Sequence, residues 1–314
     1  MGGKTQVIAV NRAGIAEAAR VLAAGGLVAL PTETVYGLAA RADDGRAVAG
    51  IFAAKGRPAF NPLIVHVTTL EAAERLARFD DAARRLARAF WPGPLTLVLP
   101  RRENAELADA ATAGLPTVAV RVPRHPVMQA VLAQCPFPLA APSANASGTI
   151  SPTAAEHVLR SLNGRIDLVL DAGPTAQGVE STIVAVRAGG VLEELRPGPL
   201  DLTLLGEKSR GVTSASSPGV RIEAPGQLLR HYAPGKPMRL NVAEPLADEF
   251  FIGFADVAGD CTLSNAGDLV EAAAQLYACL HRAAASCKPR IAVARVPNEG
   301  VGRAVNDRLR RAAA

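Results

Sequence analysis

Between Pro31 and Arg57 the chain gathers small hydroxyls, a carboxylate, a phenol and two cations: Thr32, Glu33, Thr34 and Tyr36, then Lys55 and Arg57. They follow Leu27-Val28-Ala29-Leu30, an apolar run that reads as a buried strand, so the hydroxyls stand at a strand end. Pro58 and Pro62 bracket the second part and forbid a helix continuing through it. Hydroxyls and a Lys/Arg pair held on loops at a strand end are what an anion site requires, Arg giving bidentate oxygen contacts and Lys a point charge. The bland alternative for Lys55 and Arg57 is a solvated helix end, where the dipole favours cations.

A second group lies downstream. Ser143 and Asn145 follow the apolar run Pro138-Leu139-Ala140-Ala141, and Ser151-Pro152-Thr153 reads as a helix start, with Ser151 as N-cap and Pro152 at the first position. Such an N-terminus would also donate to phosphate or ribose oxygens, a role compatible with capping. Arg196, before Pro197-Gly198, closes a strand and is otherwise a surface charge. Arg121 ends the β-branched run Thr117 to Val120, where its charge needs a partner: a substrate carboxylate, or a structural salt bridge. His66 alternates with Val65 and Val67, and a lone strand histidine is more often structural than catalytic. The chain has no Gly-x-Ser-x-Gly, no Cys/His pairing at a motif, no carboxylate dyad and no zinc spacing. A protein nucleophile or a protein-bound metal is therefore not expected; the residues the chain concentrates are Lys, Arg, Ser, Thr and Asn. Gly2-Gly3-Lys4-Thr5 imitates the end of a P-loop without the strand that should precede it, and reads as a disordered start. Arg84, Arg85 and Arg88 read as a solvated helix face rather than an RNA contact.

Together with Lys55-x-Arg57, Ser143-x-Asn145 resembles the signature of the YrdC-like domain. Further matches follow in order: Phe90-Trp91-Pro92-Gly93-Pro94-Leu95-Thr96, Val118 to Pro123, Gly178-Val179-Glu180-Ser181-Thr182-Ile183 and Leu195-Arg196-Pro197-Gly198. The resemblance covers roughly residues 7 to 200, and the ending from Pro297 to Arg311 resembles the C-terminal domain of the long form. The chain is thus similar to the threonylcarbamoyl-AMP synthase family in its two-domain form. The resemblance implies an α/β fold, a twisted open mixed sheet with a concave basic surface, plus a smaller C-terminal α/β (Rossmann-like) domain. It implies condensation of L-threonine, bicarbonate and ATP to threonylcarbamoyl-AMP and pyrophosphate, with Mg2+ brought by ATP. The product would pass to a partner complex that modifies tRNA.

By the same resemblance, Lys55 and Arg57 are catalytic, and ATP is held by them with Asn61, Thr117, Ser143, Asn145, Ser151, Arg196 and Tyr232. Threonine is held by Thr32, Thr34, His66, Arg121, Ala141 and Ser181, with Tyr36, Glu33 and Glu180 behind them. Tyr232 lies in His231-Tyr232-Ala233-Pro234, similar to a family segment that folds back over the nucleotide; the family carries Lys or Tyr where this chain has Leu228 and Leu229. Two other classes remain open: a double-stranded RNA or tRNA-binding module without catalysis, and a carbamoyl-adenylate-forming transferase. The first lacks interleaved aromatics for base stacking, and relatives of the second carry zinc-type cysteines.

The elements that must position these residues are legible in outline. Strands and helices alternate up to about residue 205. Leu63 to Val67, Leu95 to Leu99, Thr117 to Arg121, Leu168 to Leu170, Thr182 to Val186 and Val191 to Leu195 are expected strands, the later ones too closely spaced for parallel crossovers. Thr68 with Glu71 is expected to form a capping box, and Pro126 to Gln134 a helix. Residues 206–237, rich in Ser, Pro and Gly, read as a linker folding over the site. Residues 238–314 read as the small α/β domain, with a long helix from Asp268 to Ala285. At 314 residues, 49% hydrophobic and 20% charged, the composition is that of a globular protein; a net charge of +5 suits an anionic substrate or weak RNA binding. No apolar run reaches membrane-spanning length, no signal region opens the chain, and the four scattered cysteines are expected to be reduced thiols, which together point to the cytoplasm.

Overall fold

The computed structural model describes residues 4–202, 222–227 and 231–314. Among these, one sheet has ten strands: β1 Gln6–Ala9, β2 Val28–Leu30, β3 Gly37–Arg41, β4 Ile64–His66, β5 Leu95–Pro100, β6 Thr117–Arg121, β7 Leu139–Ala140, β8 Leu168–Asp171, β9 Thr182–Val186 and β10 Leu192–Arg196. Their spatial order is β1-β8-β2-β3-β7-β4-β6-β5-β9-β10. Parallel pairs (β1·β8, β2·β8, β4·β6, β5·β9) alternate with antiparallel ones, so the sheet is mixed as expected.

The period-2 alternation of the strands sorts the apolar residues onto two faces. Ala29, Leu38, Ala40, Val65, Val120, Leu97 and Val184 point to a core closed by α2 Gly45–Lys55, α3 Leu70–Leu76, α4 Asp81–Phe90 and α7 Ala155–Leu162. The opposite face is divided. Over β2, β3, β7 and β8 it packs Val28, Leu30, Ala39, Leu139 and Leu170 against α1 Arg12–Ala23 and α6 Pro126–Gln134. Over β4, β5, β6, β9 and β10 the cluster holds strand residues Ile64, Val98, Ala119, Ile183, Ala185 and Leu195 with Ala224, and among the described residues no helix side chain joins it. That open half of the sheet is where a site can form.

Local sequence explains the elements that carry site residues. Asp44 caps α2 by accepting from the Arg46 and Ala47 amides, and Gly56 at φ 60° ends it in the left-handed region, so Lys55 stands on its last turn with its side chain buried. The cation therefore sits at a helix C-terminus, where the dipole favours it. α5 Asp109–Thr112 is a single turn before β6.

The smaller unit has a parallel sheet, β11 Met238–Leu240, β12 Glu249–Gly253, β13 Cys261–Thr262 and β14 Arg290–Val293, in the order β11-β14-β12-β13. Helices α8 Leu269–Ala285 and α9 Gly302–Ala312 pack on it, and Val35, Ile150, Val179 and Tyr232 are buried in the same cluster.

Several expectations are corrected. Thr69, not Thr68, caps α3, accepting from the Ala72 amide. Ser151 and Pro152 do not start a helix: α7 begins at Ala155 after an uncapped Ala154. The Ser151 hydroxyl donates instead to the buried Glu180 carboxylate at 2.5 Å, a charge-assisted bond stronger than a cap. Lys4 and Thr5 are not a disordered start. The Thr5 hydroxyl donates to the Ile166 carbonyl and accepts from the Gly164 amide, which leads the chain into β1. That strand escaped notice because most of its residues are exposed and show no alternation. The cysteines are not all reduced: Cys261 of β13 and Cys279 of α8 are disulfide-bonded, 6.0 Å apart at Cα, while Cys135 and Cys287 are free. Pairing followed from packing α8 on the sheet edge, which sequence spacing did not reveal. Leu228 and Leu229, and the linker residues from 206 to 221, lie outside the described residues.

Candidate active site

The pocket opens on the half of the sheet where the described residues place no helix, at the ends of β2, β4, β6, β9 and β10. His66, Arg121 and Ser181 share strand parity with Ile64, Ala119 and Ile183, so their side chains rise from that face. Thr32, Thr34, Arg57, Ala141, Ser143, Arg196 and Tyr232 complete the wall.

One end of the pocket is built on an Arg–Glu pair. The Arg121 guanidinium donates to Glu33 Oε1 at 2.7 Å, to Thr34 Oγ1 at 3.1 Å and to the Gly93 carbonyl at 3.1 Å, and both charged residues are buried. Burial alone would raise the Glu33 pKa, but Arg121 brings it below the usual carboxylate value. Glu33 Oε2 has no partner among the described residues. Thr32 Oγ1 accepts from the Thr34 and Val35 amides at 3.2 Å, folding the loop so that both threonine hydroxyls meet at 2.8 Å. His66, paired in register with Arg121, is pushed to about 3 by burial and by that arginine, so its ring is neutral. Ser181 Oγ lies 2.8 Å from Thr96 Oγ1 and accepts from Arg196 at 3.2 Å. The Ala141 amide is spent on the Ile64 carbonyl.

The other end is cationic. The Lys55 ammonium donates to the Ser143 and Asn145 carbonyls, both at 2.5 Å, and burial followed by Arg57 drives its pKa well down. Arg57 donates to the Asn61 and Pro62 carbonyls at 3.1 and 2.9 Å; burial and then Arg196 lower it to about 10. Arg196 donates to the Ser181 carbonyl at 3.0 and 3.2 Å and lies 3.5 Å from the Pro225 carbonyl. Burial depresses these cations, Glu180 offsets part of that for Lys55 and Arg196, and a bound anion would offset more. Buried polar atoms with no partner among the described residues cluster beside them: Asn61 Oδ1, Thr117 Oγ1, Asn145 Oδ1 and Tyr232 Oη. Thr117 does not line the pocket; it opens β6 opposite Pro100, on the same strand face as Ala119 and Arg121. Lys55, Asn61, Asn145 and Ser151 stand behind the wall, with Asn145 Nδ2 tying down the 146–149 turn. Ser151 is spent on Glu180, which also accepts from Tyr277 at 3.0 Å and Arg308 at 3.0 Å; burial opposes ionisation, but Arg308 and Arg196 win and lower it to about 2. Tyr36 is spent as well, donating to the Gly173 carbonyl at 2.8 Å.

Pro225, Gly226, His231 and Tyr232 form another side of the pocket. Tyr232 is fully buried in the left-handed region at φ 67°, its ring edge-on to His231 at 4.1 Å. Gly226, at φ 83°, passes so close that a β-carbon would stand 2.8 Å from Arg196 Cδ. Pro225, Gly226 and His231 were not among the expected contacts; only their place in a Pro/Gly-punctuated linker hinted at them. Tyr277 carried no such signal, and Arg308 stood only within the C-terminal ending whose resemblance gave it no role at the site.

Comparison with known proteins completes the description. The family model described as telomere recombination, Sua5_yciO_yrdC, matches residues 20–198, and the model for the threonylcarbamoyl-AMP synthase C-terminal domain matches residues 192–314. The chain is 38% identical to the threonylcarbamoyl-AMP synthase of Bacillus subtilis, over 98% of this chain and 95% of that protein. It is 46% identical to that of Pyrococcus abyssi over 69% of this chain and 64% of the relative. The crystal structure of P. abyssi Sua5 complexed with L-threonine superimposes with a TM-score of 0.88 at 37% identity, covering 98% of both chains.

Proposed function

The chain belongs to the threonylcarbamoyl-AMP synthase family, and we propose that its pocket joins the carbamate of L-threonine to the α-phosphate of ATP. The protein is an enzyme that makes threonylcarbamoyl-AMP for tRNA modification, with threonine and ATP as substrates. The threonine amine condenses with bicarbonate, losing water, to give a carbamate. A carbamate oxygen then attacks the α-phosphorus, and the bond to the leaving pyrophosphate breaks.

The residues divide the work as follows. Arg121, Thr34, Thr32, His66, Ser181 and the main chain at Ala141 orient threonine. Arg121 is fixed by Glu33, Thr34 and the Gly93 carbonyl at the pocket wall, and the N–H groups its five-donor fork has left over are available to a carboxylate. Neutral His66 does not compete with the substrate ammonium for solvation. Arg57, Arg196 and, from behind, Lys55 neutralise the phosphates, with Ser143, Asn145, Asn61 and Thr117 offering polar contacts along the nucleotide. The buried cations Lys55, Arg57 and Arg196 are the observation that carries this reading: a polyphosphate restores what burial takes from them. Ser151 acts through Glu180 rather than on the nucleotide. Mg2+ would enter as part of ATP, its ligands the phosphate oxygens and water. Among the described residues no group of His, Cys, Asp and Glu would hold an ion by itself.

The division at 1–205, 206–237 and 238–314 belongs to the same proposal, with the linker as cover for the labile adenylate. So do a cytoplasmic location and delivery of the product to a tRNA-modifying complex. No described helix is long and apolar enough to cross a membrane.

The test is pyrophosphate release from ATP with bicarbonate, with and without L-threonine, in the native chain, Lys55→Ala and Arg121→Ala. Threonine-dependent release that falls in both variants is expected. Release indifferent to threonine would reject the assignment of the acceptor.

A further inference from the structure

One loop of the larger unit, residues 178–181, is gripped from two sides: Ser151, Thr96 and Arg196 of its own unit hold Glu180 and Ser181, and the smaller unit holds Gly178, Val179 and Glu180. Gly178, at φ 70°, lies so close to α8 that a β-carbon would meet the Ala273 carbonyl oxygen at 2.2 Å. Val179 is fully buried in the core of the smaller unit. Glu180 accepts from Tyr277 of α8 and from Arg308 Nε of α9. Arg308 is itself fully buried, and its reach is unusual: Nη1 donates to the Pro197 carbonyl at 2.8 Å, and the guanidinium lies 5.5 Å from the centre of the Tyr232 ring.

The chain neighbours of those contacts are pocket residues. Glu180 precedes Ser181, and Pro197 follows Arg196. Ser181 and Arg196 grip each other at 3.0 to 3.2 Å, and Tyr232 covers them. One guanidinium therefore touches the immediate supports of two wall residues and the ring of a third. A fully buried arginine contributes little net stability compared with an apolar side chain of its size, so its value lies in geometry.

We propose that Arg308 is a positioning residue for the pocket: it ties Glu180, the Pro197 carbonyl and Tyr232 to α9, and so fixes Ser181, Arg196 and the cover. This rests on the function proposed above and deepens it, making the smaller unit part of the active site.

The test uses the full chain. Arg308→Gln, Glu180→Gln and their double variant are compared with Arg303→Gln, which breaks another contact between the units, to Glu194. Arg308→Gln should lower kcat/KM for threonine-dependent pyrophosphate release by about tenfold or more, the scale expected of displaced groups. Arg303→Gln should lower it by less than about twofold at a comparable loss of melting temperature. The double variant should be no worse than the poorer single one, because both act through one contact. Kinetics of Arg308→Gln within about twofold of native, or an equal loss in Arg303→Gln, would overturn the proposal. If Arg308→Gln does not fold, Arg308→Lys keeps the charge but loses the fork between Glu180 and Pro197; native kinetics there would overturn the proposal, and a partial loss supports it. Should the native chain release no pyrophosphate, the functional reading fails, and hydrogen exchange at residues 178–182 reads the proposal alone. Faster exchange in Arg308→Lys supports it, and unchanged exchange rejects it.

Discussion

Arg121 meets Glu33 before it meets any substrate. From the sequence, a buried arginine in a β-branched strand had two partners open to it, a ligand carboxylate or a structural acid; the structure supplies the second and leaves room for the first. The pair predicts a separable cost. Arg121→Ala strands a buried carboxylate and should destabilise the fold by about 3–5 kcal/mol in urea unfolding. Adding Glu33→Gln should recover much of that stability without recovering threonine binding in calorimetric titration. Recovery of both would mean that Arg121 serves only Glu33. Lys55 was legible as a cation at a phosphate site, but not the two carbonyls that hold its ammonium, because those depend on where the 143–145 turn folds.

Elements fail or succeed by what competes for their residues. Ser151-Pro152 has the composition of a helix start, yet a buried carboxylate outbids the helix for its hydroxyl. Gly178 illustrates the reverse, a residue whose type is dictated by a helix distant in the chain. Gly178→Ala combines an unfavourable φ with a clash against α8 backbone, and about 2 kcal/mol or more of destabilisation is expected, read as a lower urea midpoint. A midpoint equal to native would show that α8 does not press on this loop. The disulfide closes an 18-residue separation between β13 and α8, so Cys279→Ser should cost about 3 kcal/mol, and native protein in strong reductant should match the variant.

At the scale of the whole molecule, the seam between the units is lined with groups held away from their ordinary titration. His157 and His281 stack across it at 3.8 Å, lowered by burial to about 4 and about 3, with Glu156 and Arg160 nearby. A histidine depressed on folding supplies stability that is complete above its ordinary value of 6.5 and is lost as pH falls toward the folded value. Glu180, depressed from 4.5 to about 2, adds loss of the same sign at lower pH. The urea midpoint should therefore fall steadily as pH drops below 6.5, less steeply in His281→Phe. A midpoint that rises on acidification would contradict the buried, neutral assignment. Cutting the chain after residue 205 removes Arg308, Tyr277 and Tyr232 together, and pyrophosphate release by the fragment should drop by well over about tenfold. Full activity in the fragment would reduce the smaller unit to an appendage.

The sequence by itself determined the class of fold, most strands of the larger sheet and the two groups of site residues, since apolar runs, proline stops and a local cluster of hydroxyls and cations are properties of neighbouring residues. It left β1, β3 and β7 unread, one exposed, one alanine-rich and one only two residues long, because their strand character comes from pairing partners. Only the tertiary structure decided which half of the sheet, among the described residues, lies free of helices, that Cys261 finds Cys279, and that Arg308 reaches Glu180 across 128 residues of chain. Each of these is a meeting between segments distant in sequence, and a buried charge or thiol names the kind of partner it needs without naming where along the chain that partner lies.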